Sequence, residues 1–174
     1  GVPLTIMRAG AETGVLVVEM AMRGSGQIER LAQIARPTAG LITNVGMSHI
    51  EILGSEEAIA SAKGELAEAI PESGRMFLNR DDPWSTVLEG MTHAAVTTYG
   101  LSETADVRAS DISLSDTGTP VFMLCSEQGS MRVELPVPGR HNVYNALAAA
   151  AVSLYLEVSL EDVVRGLEQA TLTA

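Results

Sequence analysis

In 174 residues this chain has one cysteine, one tryptophan, two phenylalanines and three tyrosines. A single Cys125 cannot build an internal disulfide framework, which fits a reducing compartment. No apolar run approaches the length of a membrane span, and the N-terminus lacks a charged-then-apolar signal pattern. The expectation is therefore a cytoplasmic protein. Basic residues are scarce too: 11 Lys and Arg face 22 Asp and Glu, for a formal net charge of -11. Such a surface repels phosphate backbones and argues against a broad nucleic-acid interface. Any phosphate must be held locally, by backbone N–H groups, a metal ion or single basic residues.

What is plentiful is aliphatic. Apolar residues make up 46% of the chain, mostly Ala, Val, Leu and Ile, as suits buried parallel strands covered by alanine-rich helices. Val15 to Met20 reads as a short strand, Gln27 to Arg36 as a helix and Leu41 to Val45 as a second strand. Ser55 caps a predicted helix running to about Ile70, with Glu56 and Glu57 in its first turn. Met76–Asn79 and Ala94–Tyr99 follow as strands. From Asp106 to Val137 short alternating stretches are separated by Asp116-Thr117-Gly118 and Glu127-Gln128-Gly129, which are hairpin signals. Helical patterning resumes from Asn142 to about Glu157, and again from Leu160 to Ala170 behind the N-cap Ser159. The pattern predicts an α/β fold, a mostly parallel sheet flanked by helices with a small antiparallel β extension. The expected boundaries are an α/β core at 1–105, the extension at 106–137 and a helical segment at 138–174. Both ends read as cut, so a piece of a larger protein is expected.

In an open parallel sheet, ligands bind beyond the carboxyl ends of the strands. Glu19, Asn44 and Asn79 end three predicted strands. Each has an ordinary explanation as a loop-facing polar residue; Glu19 stands out because a carboxylate inside an apolar run needs a partner, and a cation is one such partner. His49 lies in the loop beyond the same sheet edge; a lone loop histidine is more often a surface residue than a ligand. Lys63 projects from the apolar stripe of Ile59, Ala62, Leu66 and Ile70. Either it snorkels its ammonium to water, which spacing alone favours, or it is a partly buried amine able to form a carbamate and help hold a metal ion. Asn142 and Asn145, three apart at a helix start, share a face beside Ala146 and Ala149. Asn142 could be only an N-cap; Asn145 has less structural excuse, and its carboxamide suits the edge of an adenine ring.

These segments together resemble the Mur ligase family. The matching stretches are VVEM at 17–20, ARPTAGLITNVGMSHIEILGS at 35–55, IASAKGEL at 59–66, LNRDDP at 78–83 and PGRHNVYNALAAAA at 138–151. The likeness covers essentially the whole chain, and the wording of HIEILGS and AKGEL points to the members that add D-alanyl-D-alanine to a UDP-MurNAc-tripeptide in peptidoglycan precursor synthesis. The resemblance implies ATP and two magnesium sites. It implies Glu19, His49 and a carbamylated Lys63 at the metal, and Asn145 at adenine with Asn142 and His141 beside it. Asn44 falls in a matching motif and is assigned to ATP more loosely. Arg140 and Asp82 fall in matching segments without an assigned role. The implied reaction activates a carboxylate as an acyl phosphate, which an amine then displaces.

The family's phosphate loop, ending in Gly-Lys-Ser/Thr, has no counterpart in this sequence. The UDP-substrate domain and the C-terminal domain are likewise expected to lie outside this stretch, so the isolated chain is expected to bind ATP weakly and to be inactive. Three rivals remain open. A MurE-type or cyanophycin-synthetase-like ligase shares the metal site. A metal-dependent hydrolase can use a carbamylated lysine, although this chain has only three histidines. A non-catalytic α/β module would need no phosphate loop.

Overall fold

The structure is a computed structural model that describes residues 1–46 and 54–171. Its elements, in chain order, are α1 (Val2–Ile6), α2 (Gln27–Ala35), β1 (Ala39–Ile42), α3 (Glu56–Ala69), β2 (Arg75–Asn79), α4 (Ser85–Glu89), β3 (Ala95–Gly100), β4 (Val107–Leu114), β5 (Pro120–Ser126), β6 (Gly129–Glu134), α5 (His141–Tyr155) and α6 (Leu160–Glu168). The chain divides into two compact units, one of residues 1–40, 45–76 and 86–95, the other of residues 41–44, 77–85 and 96–174. No helix among the described residues is long and apolar enough to cross a membrane.

In the first unit α2 packs against α3. Ser55 caps α3 as expected, its Oγ accepting from Ala58 N at 3.2 Å. The same serine and the local backbone hold the Glu57 carboxyl below the usual glutamate range, the backbone N–H contributing most. The helix stops at Ile70, whose extended backbone (φ -75°, ψ 126°) suits the residue before Pro71. The start of α2 has no capping side chain of its own. Instead Glu65 of α3 reaches it, accepting from Gly26 N at 2.5 Å and Glu29 N at 3.0 Å. Ile28, Ala32, Ile59, Ala62, Ala67 and Leu88 are buried in this unit.

The strands form one six-stranded mixed sheet in the order β1-β2-β3-β4-β5-β6, mostly parallel up to β4 and antiparallel from β4 to β6. β3 and β4 are parallel but pair at only two positions, Tyr99 with Val107 and Gly100 with Arg108. Such a short parallel join needs side-chain help. Asp106 supplies it, its Oδ2 accepting from Thr98 N and Thr98 Oγ1, each at 2.7 Å. The β4–β5 and β5–β6 hairpins turn where the Asp-Thr-Gly and Glu-Gln-Gly signals lie. In the second unit α5 lies on β4 and β5, and α6 on β6. Phe122, Leu124, Val133, Val143 and Leu147 form its buried centre.

One expected strand is missing. Residues 15–20 carry no regular structure, and Val15, Leu16 and Val17 are 57%, 41% and 81% exposed. A strand exists only through hydrogen bonds to a neighbour, and among the described residues this apolar run has none. The short helices α1 and α4 were not expected, because five residues are too few to show a helical period. β1 starts and ends earlier than the Leu41–Val45 run.

Candidate functional site

In the first unit, Lys63 sits in the middle of α3 and is half-buried. Its Nζ donates to the carbonyl of Val45 at 2.8 Å, so the amine turns toward the protein backbone. That geometry favours a placed amine over the snorkelling alternative. Ile59, Ala62 and Ile70 of the same stripe are 0%, 1% and 2% exposed, whereas Leu66 is only half-buried. The next residue, Gly64, is closely faced by the end of the Met91 side chain, which would have to move aside for a Cβ there. Glu19 is exposed and, among the described residues, has no hydrogen bond or ion pair. The apolar run that carries it has no strand neighbour among the described residues. His49 lies outside the described residues. A cleft of about 690 Å³ in this unit, lined by Glu29, Gln33, Arg36, Glu65 and Glu68 among others, includes none of the candidate residues.

In the second unit, the loop after β2 and the start of α5 carry the remaining candidates. Asn79 is occupied by structure: its Nδ2 donates to Thr43 O at 3.2 Å and its Oδ1 accepts from Asp81 N at 3.1 Å. Asp82 accepts from Trp84 N at 2.8 Å, a turn closed by its own side chain. Asp81 accepts from two successive backbone donors, Leu101 N at 2.5 Å and Ser102 N at 3.1 Å. Burial, then the charge and hydrogen bond of Asp81, push the Tyr144 phenol above its ordinary value, while Arg140 opposes the shift.

The α5 helix begins at His141 with Arg140 as N-cap and no side-chain cap. The reading of Asn142 as an N-cap is thus corrected: it is the second helical residue, and its own N–H goes to Gly139 O at 3.0 Å. The turn into the helix uses Gly139 at φ +105°, and a Cβ there would stand 2.6 Å from the His141 ring. Asn142 is 8% exposed, and its Nδ2 donates to Pro138 O at 2.8 Å. Asn145 is exposed, and its Nδ2 donates to Asn142 Oδ1 at 3.0 Å. Val143, Leu147 and Ala151 of the same helix are buried, while Leu154 on the same side is half-buried.

The structure therefore brings Asn142 and Asn145 together. Asn44 is exposed, two residues past the end of β1. Asp81 and Tyr144 escaped sequence reasoning. The only signal for Asp81 was an Asn-Arg-Asp-Asp run at a strand end, a place where carboxylates collect backbone N–H groups. For Tyr144 the signal was a polar-tipped ring on an otherwise alanine-rich helix.

Three comparisons bear on this arrangement. A family model described as Mur ligase middle domain matches residues 1–153. The chain is 42% identical over 170 residues to the UDP-N-acetylmuramoyl-tripeptide--D-alanyl-D-alanine ligase of Mycobacterium bovis, a match covering 98% of this chain and 33% of that protein. It is 36% identical over 167 residues to the Bacillus subtilis protein of the same name, covering 96% and 35%. The chain thus spans about a third of the length of the curated relatives it matches. Among solved structures, MurF from Acinetobacter baumannii superposes with a TM-score of 0.93 at 33% identity, covering 99% of this chain and 38% of that one. The MurF ligase of Thermotoga maritima, solved in complex with ADP, shares the fold at a TM-score of 0.84 and 24% identity, covering 99% and 40%.

Proposed function

The chain belongs to the Mur ligase family, as a middle domain, and from that premise we propose that its parent is an ATP-dependent ligase joining D-alanyl-D-alanine to a UDP-MurNAc-tripeptide. The identity to ligases of that name, sustained over 98% of the chain, supports this reading. The observation that carries it is the bonded Asn142–Asn145 pair at the start of α5, an exposed carboxamide held by a buried one. Asn145 meets the adenine edge, which offers both a donor and an acceptor to a carboxamide. The relative solved with ADP is in keeping with a nucleotide in this fold.

Glu19, His49 and Lys63 would hold magnesium. A carboxylate, an imidazole and a carbamate are all suitable donors, and Glu19 is exposed without another partner among the described residues. Bound magnesium and ATP would supply the phosphoryl group and its countercharge. Lys63 fits carbamylation on one structural ground: a carbamate nitrogen keeps one N–H, so the bond to Val45 O survives the modification. The lysine's task is to position the metal, with no proton transfer. Asn44 is proposed to contribute to the nucleotide site from its exposed place after β1.

The test is phosphate release by the full-length parent with UDP-MurNAc-tripeptide, magnesium-ATP and D-alanyl-D-alanine. Release that requires the dipeptide is expected. Release with a single amino acid and a shorter UDP-peptide would instead assign the parent to MurE-type chemistry, and no release would remove the ligase reading.

A further inference from the structure

Asn142 and Asn145 form a hydrogen-bond relay whose polarity is set at one end. A side-chain carboxamide is nearly symmetric in shape, and turning it by 180° exchanges its donor and acceptor. Something must therefore decide which way each amide points. At Asn142 the decision is made by the Pro138 carbonyl, 2.8 Å away, which can only accept and so must face the NH2 group. The Asn142 Oδ1 then faces Asn145. That oxygen can also only accept, so Asn145 must turn its own NH2 inward, at 3.0 Å. The exposed carboxamide is left with its Oδ1 and one N–H available to a ligand, in a fixed order. The buried residue, 8% exposed, determines what the exposed one presents.

We propose that Asn142 is a positioning residue that sets the purine selectivity of the nucleotide site, through the amide polarity it imposes on Asn145. A 6-aminopurine offers an exocyclic N–H donor beside the N7 acceptor and complements the fixed pair. A 6-oxopurine offers two acceptors on that edge and meets the Asn145 oxygen with a like dipole. This rests on the reading above that Asn145 meets the base.

The experiment compares kcat/KM for magnesium-ATP and magnesium-ITP in the full-length parent, with its UDP-peptide and dipeptide substrates saturating. Wild type should prefer ATP, and Asn145→Ala should lose most of that preference. Asn142→Ala frees Asn145 to turn its NH2 toward both oxopurine acceptors, so the ATP-to-ITP ratio should fall about tenfold, within the discrimination of one good bidentate pair. Asn142→Asp still offers only acceptors to Asn145 and should keep a ratio near wild type, whatever it costs in stability. A residue that merely supports the helix would lower both kcat/KM values together, so an unchanged ratio in Asn142→Ala overturns the proposal. So does an equal fall in Asn142→Asp. Should the alanine variant not fold, Asn142→Ser, whose rotatable hydroxyl imposes no polarity, is expected to show the same fall. An ATP preference that survives Asn145→Ala would show that the adenine reading itself is wrong. Loss in Asn145→Ala with the ratio intact in Asn142→Ala would leave that reading standing and remove only the relay.

Discussion

Helices α3 and α5 begin in opposite ways. α3 starts with a serine whose hydroxyl accepts a backbone N–H of the first turn, and Lys63, the residue proposed to support the metal, lies two turns further on. α5 starts with no side-chain cap, and the asparagine that could have served as one is the second residue inside the helix. There its carboxamide reaches back to Pro138 and across to Asn145. A helix start has spare backbone donors that a capping side chain normally satisfies. In α3 that opportunity goes to stability. In α5 it is left open, and the polar side chain is given to a neighbour that faces outward. Where a sequence omits a cap that its composition could provide, the first turn is worth inspecting for function.

The contrast can be attacked from both sides. Lys63→Ala in the full-length parent should produce the largest effect, a loss of turnover of about 100-fold, the scale for residues that position a metal ligand. Wild-type activity should also fall on removal of dissolved carbon dioxide and return with bicarbonate, while the alanine variant ignores both. Activity unaffected by Lys63→Ala would leave α3 with no chemistry to contrast. Gly139→Ala comes next. It forces alanine to φ +105° against the His141 ring and should cost about 2 kcal/mol in urea unfolding, with a weaker KM for ATP because the α5 turn shifts. An ATP KM unchanged by that strain would separate the turn from the nucleotide site.

Tyr99→Phe touches neither helix start and serves as the reference. The phenol is 1% exposed and donates to Ile42 O at 3.1 Å and Thr43 O at 3.3 Å, so its loss should cost about 1.5 kcal/mol. Burial, with the charge of Asp82 adding to it, raises this phenol above its ordinary 10.0. The folded state therefore holds the proton more tightly than the unfolded one. That contribution is whole below pH 10 and is lost as pH rises toward the folded-state value, so Tyr99→Phe should flatten part of the alkaline decline in urea midpoint. Ser55→Ala is the smallest expected change, about 1 kcal/mol of stability with no change in ATP selectivity. A shift in selectivity there would contradict the division of labour between the two helices.

How far the sequence could be read is shown by two apolar runs of similar length. Val121 to Cys125 falls in one of the short stretches expected between the two hairpin signals, and Val15 to Met20 reads as a strand. The first lies in β5 and pairs with β4 on one side and β6 on the other. The second has no ladder, and Val17 is 81% exposed. Local pattern encodes the preference for an extended chain, but the neighbour that turns extension into a strand is not written within the run. Helix ends were more legible because their signals are local: Ser55 and Ser159 cap as expected, and Ser159 Oγ accepts from Asp162 N at 3.2 Å. The antiparallel extension was legible for the same reason, through its turn residues. In the candidate site, the spacing of Asn142 and Asn145 was readable as a shared face. That one is buried and fully engaged while the other is exposed depends on Pro138 and the Gly139 turn, which a helical wheel does not contain. The position of Asp81 over the Leu101 and Ser102 amides joins residues 20 and 21 apart in sequence, and no periodicity could reveal it.

Three consecutive residues of α3 fix its rotational register. Lys63 reaches Val45 O, Gly64 is closely faced by Met91, and Glu65 holds the amides of Gly26 and Glu29. Successive residues point about 100° apart around a helix, so these three contacts clasp it from different directions and prevent it from rolling about its axis. The distance at stake is small. With side-chain tips about 6 Å from the axis, a roll of roughly 10° would carry the Lys63 amine about 1 Å, a misplacement of the size that costs catalysis heavily. A carboxylate removed at Glu65 would therefore act on the lysine like a turned dial, without touching it.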